Sequence, residues 1–323
     1  MMQNAKADTA GLNIAAYGEG ALYPAASLTP ITAAIQQAGW TTVILSLFHI
    51  GRTSANQNQG DLYFNDQLVV SEGKYVGDSA WPAAVAALKG GSVTRLAASV
   101  GGATPWVQDF QTIQAIYQGN GNSFAGTLLE TNFTLFRQTF PDIDVIDMDC
   151  EETYDQDSFV AFCQMLVGLG FSITFCPYAA YESGFWVGSL QALTASNPGS
   201  VLWWNLQCYA GGSGNQPATW AGYITAAMPD FNTNGFILAS DWSRFWSDNQ
   251  WQGDCVDAVG QLLAPFDGNA CVGGAFIWTL DQILSYDATA KLHPDNNHYD
   301  PCQGGGGSMS AYVDVIAAVL KSC

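Results

Sequence analysis

Residues 140–152 read Phe140-Pro141-Asp142-Ile143-Asp144-Val145-Ile146-Asp147-Met148-Asp149-Cys150-Glu151-Glu152. The run is a short apolar segment into which acidic residues are set at a period of two. On a β-strand that period sends Asp147, Asp149 and Glu151 to one face and Met148 and Cys150 to the other. An acidic, solvated turn is the plain alternative. It fits poorly here, because Ile143, Val145 and Ile146 precede the carboxylates and a helical pattern begins near Ser158. A strand apolar on the face that the acids leave free belongs to a parallel sheet wrapped by helices.

Working outward from this strand, the same pattern recurs along the chain. Runs rich in β-branched and aromatic residues are expected to be strands at 12–17, 41–48, 95–100, 145–149, 172–176, 201–207, 235–239 and 274–278. Helical patterns alternate with them at 31–39, 81–89, 124–139, 158–169, 188–196, 219–228 and 255–263. Eight strands with intervening helices predict a (β/α)8 TIM barrel, one catalytic domain over 10–323. Two stretches break the rhythm. The polar segment 51–75 is expected to carry a small hairpin in its run DLYFNDQLVV. Gly304 to Gly307 reads as a flexible tether for a last helix at 311–321, so that 304–323 forms a glycine-tethered C-terminal helix.

Composition narrows the partners. The formal charge is −19, from 28 acidic against 9 basic residues, and such a surface repels phosphate backbones and anionic membranes. Nucleic acid and membrane are therefore excluded as partners, whereas a neutral glycan meets no such barrier. Residues 1–9 lack the charged-then-apolar layout of a signal peptide. Either the protein stays inside the cell or a leader has been removed. Of the eight cysteines, Cys150, Cys163, Cys176 and Cys208 sit in apolar runs and read as small core hydrophobes. Cys255, Cys271, Cys302 and Cys323 are expected in loops or near element ends, with Cys255–Cys271 and Cys302–Cys323 the simplest pairing. Disulfides there would favour a secreted protein. No spacing suggests a metal, and no cofactor is expected. A monomer is expected.

In a parallel barrel the functional groups stand at the C-terminal ends of the strands. Ser99 and Trp106 follow strand three in this reading. Tyr178, Tyr181, Phe185 and Trp186 follow strand five, Gln207 and Tyr209 strand six, and Asp241, Trp242, Phe245, Trp246 and Trp251 strand seven. Trp278 and Asp281 end strand eight. A rim of aromatics and amides is the outline of a carbohydrate groove. The acidic row suits proton donation, with Glu151 outermost and its pKa raised by anionic neighbours. A two-carboxylate glycosidase needs its second carboxylate across the sugar, on another strand. One row does not supply it, and fits better where the substrate brings its own nucleophile.

At this point the sequence resembles glycoside hydrolase family 18, the chitinase and endo-β-N-acetylglucosaminidase family. Asp144 to Glu151 matches its DxxDxDxE signature. Ser99-Val100-Gly101-Gly102 resembles its SxGG motif, Gln207-Cys208-Tyr209 its strand-six tyrosine motif, and Trp278 its strand-eight tryptophan. The four matches run in family order from Ser99 to Trp278.

The resemblance implies substrate-assisted retention on an N-acetylglucosamine-containing glycan. Glu151 would protonate the glycosidic oxygen while the 2-acetamido oxygen attacks the anomeric carbon. Asp149 would orient the acetamido group, and Asp147 would share a proton with Asp149. Tyr209 would donate to the acetamido oxygen. Trp278 would floor the site, with Gln207, Tyr178, Trp242 and Trp106 as further binding residues and Asp144 and Ser99 in support. Glu152 faces away. Ala210 stands where many chitinases carry an aspartate, which bears on the chitinase reading more than on the family. The interval from Asp241 to Val272 is too short for the α+β insertion of deep chitinase clefts, so a shallow groove and endo-type cleavage are expected. The leading substrate is a β-1,4 linkage in chitin or its oligomers. The alternatives are the chitobiose core of N-glycans and, with Glu151 silent, a chitinase-like lectin.

Overall fold

A computed structural model describes residues 11–54, 57–103, 107–248, 250–292, 302 and 308–321. Eight parallel strands close on themselves: β1 (Asn13–Gly18), β2 (Thr42–Ile50), β3 (Arg95–Gly101), β4 (Ile143–Asp149), β5 (Ser172–Phe175), β6 (Val201–Leu206), β7 (Ile237–Trp242) and β8 (Val272–Trp278). Each pairs with its sequence neighbour, and β1 pairs with both β2 and β8, so no barrel edge is left open. This is the (β/α)8 barrel expected from the alternation of buried strands and helices.

The helices ring the barrel: α1 (Thr32–Ala38), α2 (Trp81–Leu88), α3 (Asp109–Gly119), α4 (Leu128–Thr139), α5 (Gln156–Gly168), α6 (Ser183–Ser196), α7 (Pro217–Ala227), α8 (Val256–Leu263), α9 (Leu280–Leu292) and α10 (Met309–Val319). The terminal helix α10 packs between α8 and α1 and completes the ring on that side. Two apolar layers result. Ala15, Tyr17, Ile44, Ala97, Val145, Trp203, Leu238 and Phe276 fill the barrel's interior. Met148, Cys150 and their counterparts on other strands pack outward against the helices. A fully wrapped strand must be apolar on both faces, which is why β2 is buried at all but one of its positions.

The run DLYFNDQLVV forms the expected hairpin, Leu62–Phe64 against Gln67–Ser71, and it extends the sheet antiparallel from the end of β2. Between β7 and β8 the chain makes only a small hairpin, Phe245–Ser247 with Gln250–Gln252, and α8. No α+β insertion stands there.

Two expectations are corrected, and the sequence's one sequon-like run, at Asn132, is found in the core. Cys255 is bonded to Cys302 across a Cα–Cα distance of 5.8 Å, not to Cys271, so Cys302 cannot pair with Cys323. Phe185 and Trp186 belong to α6 and are core, not rim, because the helix begins at Ser183 rather than at Gly188. The sequon Asn132-Phe133-Thr134 cannot present its amide to a glycosylating enzyme. Asn132 is fully buried, donates to Gly60 O at 2.8 Å and accepts from Gly73 N at 2.8 Å. Trp106, His293, His298, Cys323 and Gly304 to Gly307 lie outside the described residues.

Candidate active site

The barrel's register places the polar residues in layers. Ser99 on β3 is level with Asp147 on β4, and Asp147 with Thr174 on β5. Asp147 is fully buried in the barrel axis. Its Oδ2 accepts from the hydroxyls of Tyr17 and Ser99, each at 2.8 Å. Its Oδ1 accepts from Thr174 Oγ1 at 2.7 Å and Asn205 Nδ2 at 2.8 Å. Burial pushes this carboxyl above the ordinary range, and the four hydrogen bonds work against that push. Asn205 is itself held by the Trp203 indole N–H at 2.8 Å.

One layer toward the C-terminal end stands Asp149, level with Gly101, and beyond the strand's end comes Glu151. Asp149 and Glu151 are hydrogen-bonded to one another, so the two carboxyls hold a proton between them. Gln207 Nε2 bridges the same pair, 3.2 Å from Asp149 Oδ1 and 3.0 Å from Glu151 Oε1. Asp149 is driven well upward, first by burial and then by the neighbouring Glu151 and Asp147. Glu151 is also raised, but burial is the cause, and its hydrogen bonds to Gln207 and Asp149 pull it back. The rise has the direction expected from sequence, with burial as its first cause. Asp147 does not share its proton with Asp149 here: both of its oxygens are already occupied by other donors.

The glycines of the Ser99-Val100-Gly101-Gly102 segment have a steric reason. Gly101 and Gly102 sit at φ +115° and +107°, where side chains are strained. The Gly102 N–H donates to Asp149 O at 2.8 Å. A Cβ on Gly101 would meet that same carbonyl at 2.1 Å. Close approach of β3 to the end of β4 therefore fixes the backbone that carries Asp149. The chain then turns, and the Asp155 carboxylate caps α5 by accepting from Ser158 N at 3.1 Å.

Aromatic residues surround the carboxylates on the β5–β8 side. Trp278 lies with its ring 5.5 Å from Tyr17. Tyr209 stacks on Trp242 at 5.9 Å with planes 19° apart, and burial pushes its hydroxyl well above the usual value, so it remains a donor. Tyr178 is half-buried beside Tyr154 and Tyr181, and Tyr181 is 78% exposed. The structure thus brings together Asp147, Asp149, Glu151, Ser99, Gln207, Tyr209, Trp242 and Trp278. It leaves Asp144 out. That residue shares the outward face of β4 with Ile146 and Met148, and its Oδ1 is buried without a partner. Glu152 also points away, accepting from Phe110 N at 2.7 Å.

Sequence reasoning missed Tyr17, Thr174, Asn205 and Cys176. Each is an inward residue on a strand that was read correctly, so barrel layering was the available signal. Cys176 is buried and its sulfur lies 3.5 Å from Tyr17 Oη and 3.6 Å from Gln207 Nε2. Asp241, at the end of β7, is fully buried and pushed up to about 8, by burial and then by the neighbouring Asp254.

The sequence matches no protein-family model and no curated protein. Its backbone is similar to solved structures. The GH18 chitinase ChiB from the chitin utilization locus of Flavobacterium johnsoniae superposes with a TM-score of 0.55 over 94% of this chain and 93% of that one, at 12% identity. The Bacillus megaterium QM B1551 spore cortex-lytic enzyme SleL gives 0.48 over 84% and 71%, at 11% identity. At such identities the likeness to ChiB is one of fold: the two chains share the closed barrel.

Proposed function

We propose that this barrel is a retaining glycoside hydrolase acting on N-acetylglucosamine-containing glycans, with Glu151 as the proton donor. The observation that carries the reading is the row Asp147, Asp149 and Glu151. It runs up one barrel strand to the C-terminal face, and its outer two members touch one another and both accept from the Gln207 amide. Burial raises the Glu151 carboxyl, and a carboxyl raised in this way is better suited to deliver a proton to a leaving glycosidic oxygen.

The second half of the reaction needs a nucleophile. Asp241 stands on β7, but burial and the neighbouring Asp254 push it up to about 8, and a carboxyl that favours its proton attacks poorly. The substrate's own acetamido oxygen is therefore the nucleophile in this reading. As Glu151 gives up its proton, Asp149 turns from it toward the acetamido N–H and stabilises the charge of the cyclic intermediate. The Tyr209 hydroxyl donates to the acetamido oxygen and sets its direction. Trp278 offers a flat face for the sugar ring. Asp147, held by four donors, supports the strand beneath Asp149. The Cys255–Cys302 disulfide favours an oxidising compartment, so we place the enzyme outside the cytosol.

The test is turnover of a fluorogenic chitobioside or chitotrioside. Glu151→Gln is expected to lose roughly 100- to 10,000-fold in kcat/KM, with the anomeric configuration retained in the wild-type product. Cellobiosides, which lack the acetamido group, should not be cleaved. Full activity in Glu151→Gln, or equal turnover of cellobioside, would sink the reading. Chitin and the chitobiose core of N-glycans both contain the bond in question.

A further inference from the structure

Glu152 follows the acid directly, and its side chain leaves the barrel axis for the start of α3. Its Oε1 accepts at 2.7 Å from the N–H of Phe110, the second residue of that helix. The first N–H groups of a helix have no partner inside it, and the helix dipole favours negative charge before them. The residue just ahead of the helix commonly supplies the acceptor. In α3 it does not. Gln108 makes no cap, and its side-chain oxygen accepts from Arg52 instead. Asp109, in the first turn, has both oxygens engaged elsewhere, Oδ1 with Ile50 N at 2.6 Å and Oδ2 with His49 Nδ1 at 2.8 Å. The cap therefore comes from another loop, the one that carries Glu151.

The anchor at Phe110 is firm. Its side chain is buried and stacks on Phe159 of α5, with ring centroids 5.8 Å apart. A Cβ on Gly101 would meet the same ring at 2.8 Å, so Phe110 also lies against the end of β3. Burial pushes the Glu152 carboxyl up to about 7, and the N–H groups of α3 work against that push.

The loop itself has few other holds. Asp149 O accepts from Gly102 N at 2.8 Å, the Cys150 thiol donates to Thr153 O at 3.0 Å, and Asp155 caps α5. Among the described residues, the main chain of Glu151 makes no hydrogen bond. The direction of Glu151 is thus set by its flanks. Asp149 fixes one side through β3, and Glu152 fixes the other through α3.

We propose that Glu152 is a positioning residue for the acid. By capping α3 from the loop after β4, it sets the peptide between the two glutamates and holds Glu151 against Gln207 and Asp149. The proposal rests on the glycosidase reading for what Glu151 does, but the place of Glu151 can be measured without turnover.

Two uncharged variants separate the hydrogen bond from the charge. Glu152→Met has no acceptor, whereas the amide oxygen of Glu152→Gln can still accept from Phe110 N. With isotopically labelled glutamate side chains, NMR follows the titration of Glu151 in each folded protein. Its midpoint is expected to be lower in Glu152→Met, where the carboxyl is released from its buried place, than in Glu152→Gln. Should Glu152→Met not fold, Glu152→Asp, which keeps the charge but falls short of Phe110, gives the same comparison against the wild type. On the fluorogenic chitobioside, Glu152→Met is expected to lose roughly 10- to 100-fold in kcat with KM within about two-fold, as for a misplaced catalytic group. Glu152→Gln should recover most of that loss. Equal Glu151 midpoints with and without the acceptor, or a wild-type kcat in Glu152→Met, overturns the proposal even if chitobiosides are hydrolysed. Midpoints that part in a protein that cleaves no N-acetylglucosamine glycan leave Glu152 assigned and remove the hydrolase reading.

Discussion

Gln207 touches both carboxyls that hold the shared proton, and its effect has a definite sign. An amide N–H donated to a carboxylate stabilises the charged form. Replacing it with methionine, of similar length and no donor, should let the pair hold its proton more tightly. The alkaline limb of the kcat/KM profile then moves to higher pH, and kcat/KM at neutral pH falls roughly 10- to 100-fold, the worth of a hydrogen bond to a charged group. A limb that moves to lower pH would contradict the geometry. Asp144 and Asp149 make a second comparison at this scale. Both match the acidic signature, yet Asp144 lies on the outer face of β4. Asp149→Asn should cost roughly 100-fold or more in kcat, whereas Asp144→Asn should leave fluorogenic turnover within roughly two-fold, as for a residue outside the chemistry. The period-two spacing separated these residues in advance. It could not reveal that Asp147 is saturated by Tyr17, Ser99, Thr174 and Asn205, because Tyr17 and Thr174 come from strands with no motif to mark them.

The strands were legible because burial on both faces leaves a continuous apolar run, and β2, β4 and β8 are each within two or three residues of their expected limits. Helix α6 was not, because Ser183, Gly184 and a run of aromatic residues carry no helical period, and only packing against α5 settles them as helix. Cysteine pairing was beyond reach for another reason: Cys255 and Cys302 are 47 residues apart, and spacing along the chain does not say which later cysteine the fold brings to the start of α8. Two element-scale predictions follow from these contacts. Gly101→Ala places a Cβ against Asp149 O at a positive φ, so it should destabilise the fold by about 2–3 kcal/mol and lower kcat together. Urea unfolding and turnover measure the two effects, and a fully stable, fully active variant would show that β3 can move away. Replacing Cys255 and Cys302 by serine releases a long loop, and chain entropy sets the loss at up to about 4 kcal/mol. Matched urea curves for the two proteins give that difference directly.

At the scale of the molecule, the dominant fact is acid held where acid is expensive. Glu19 and Glu152 are pushed up to about 7, and Asp241 to about 8, each chiefly by burial. Asp147, Asp149 and Glu151 are raised for the same first reason. A carboxyl whose folded pKa exceeds its unfolded value binds its proton more tightly in the native state. The stability it contributes is full below the unfolded pKa and is lost as pH rises through the folded one. These groups therefore share a sign, and their common window runs from about pH 4.5 to about pH 8. The surface acts the same way, since the net charge moves toward its formal −19 as the buried groups ionise and repels itself further. Thermal melting should show a Tm lower at pH 8.5 than at pH 5.5, by roughly 5–10 °C for a loss of a few kcal/mol in a chain of this size. Added salt separates the two causes, because it screens exposed charge and leaves the cost of buried ionisation in place. Part of the pH difference should thus survive in 0.5 M salt, a concentration at which the Debye length has shrunk to roughly 4–5 Å. Asp241→Asn, which cannot ionise, should narrow what survives. A Tm that rises from pH 5.5 to 8.5 would mean that the barrel's carboxyls are ionised and paired in ways this arrangement does not contain.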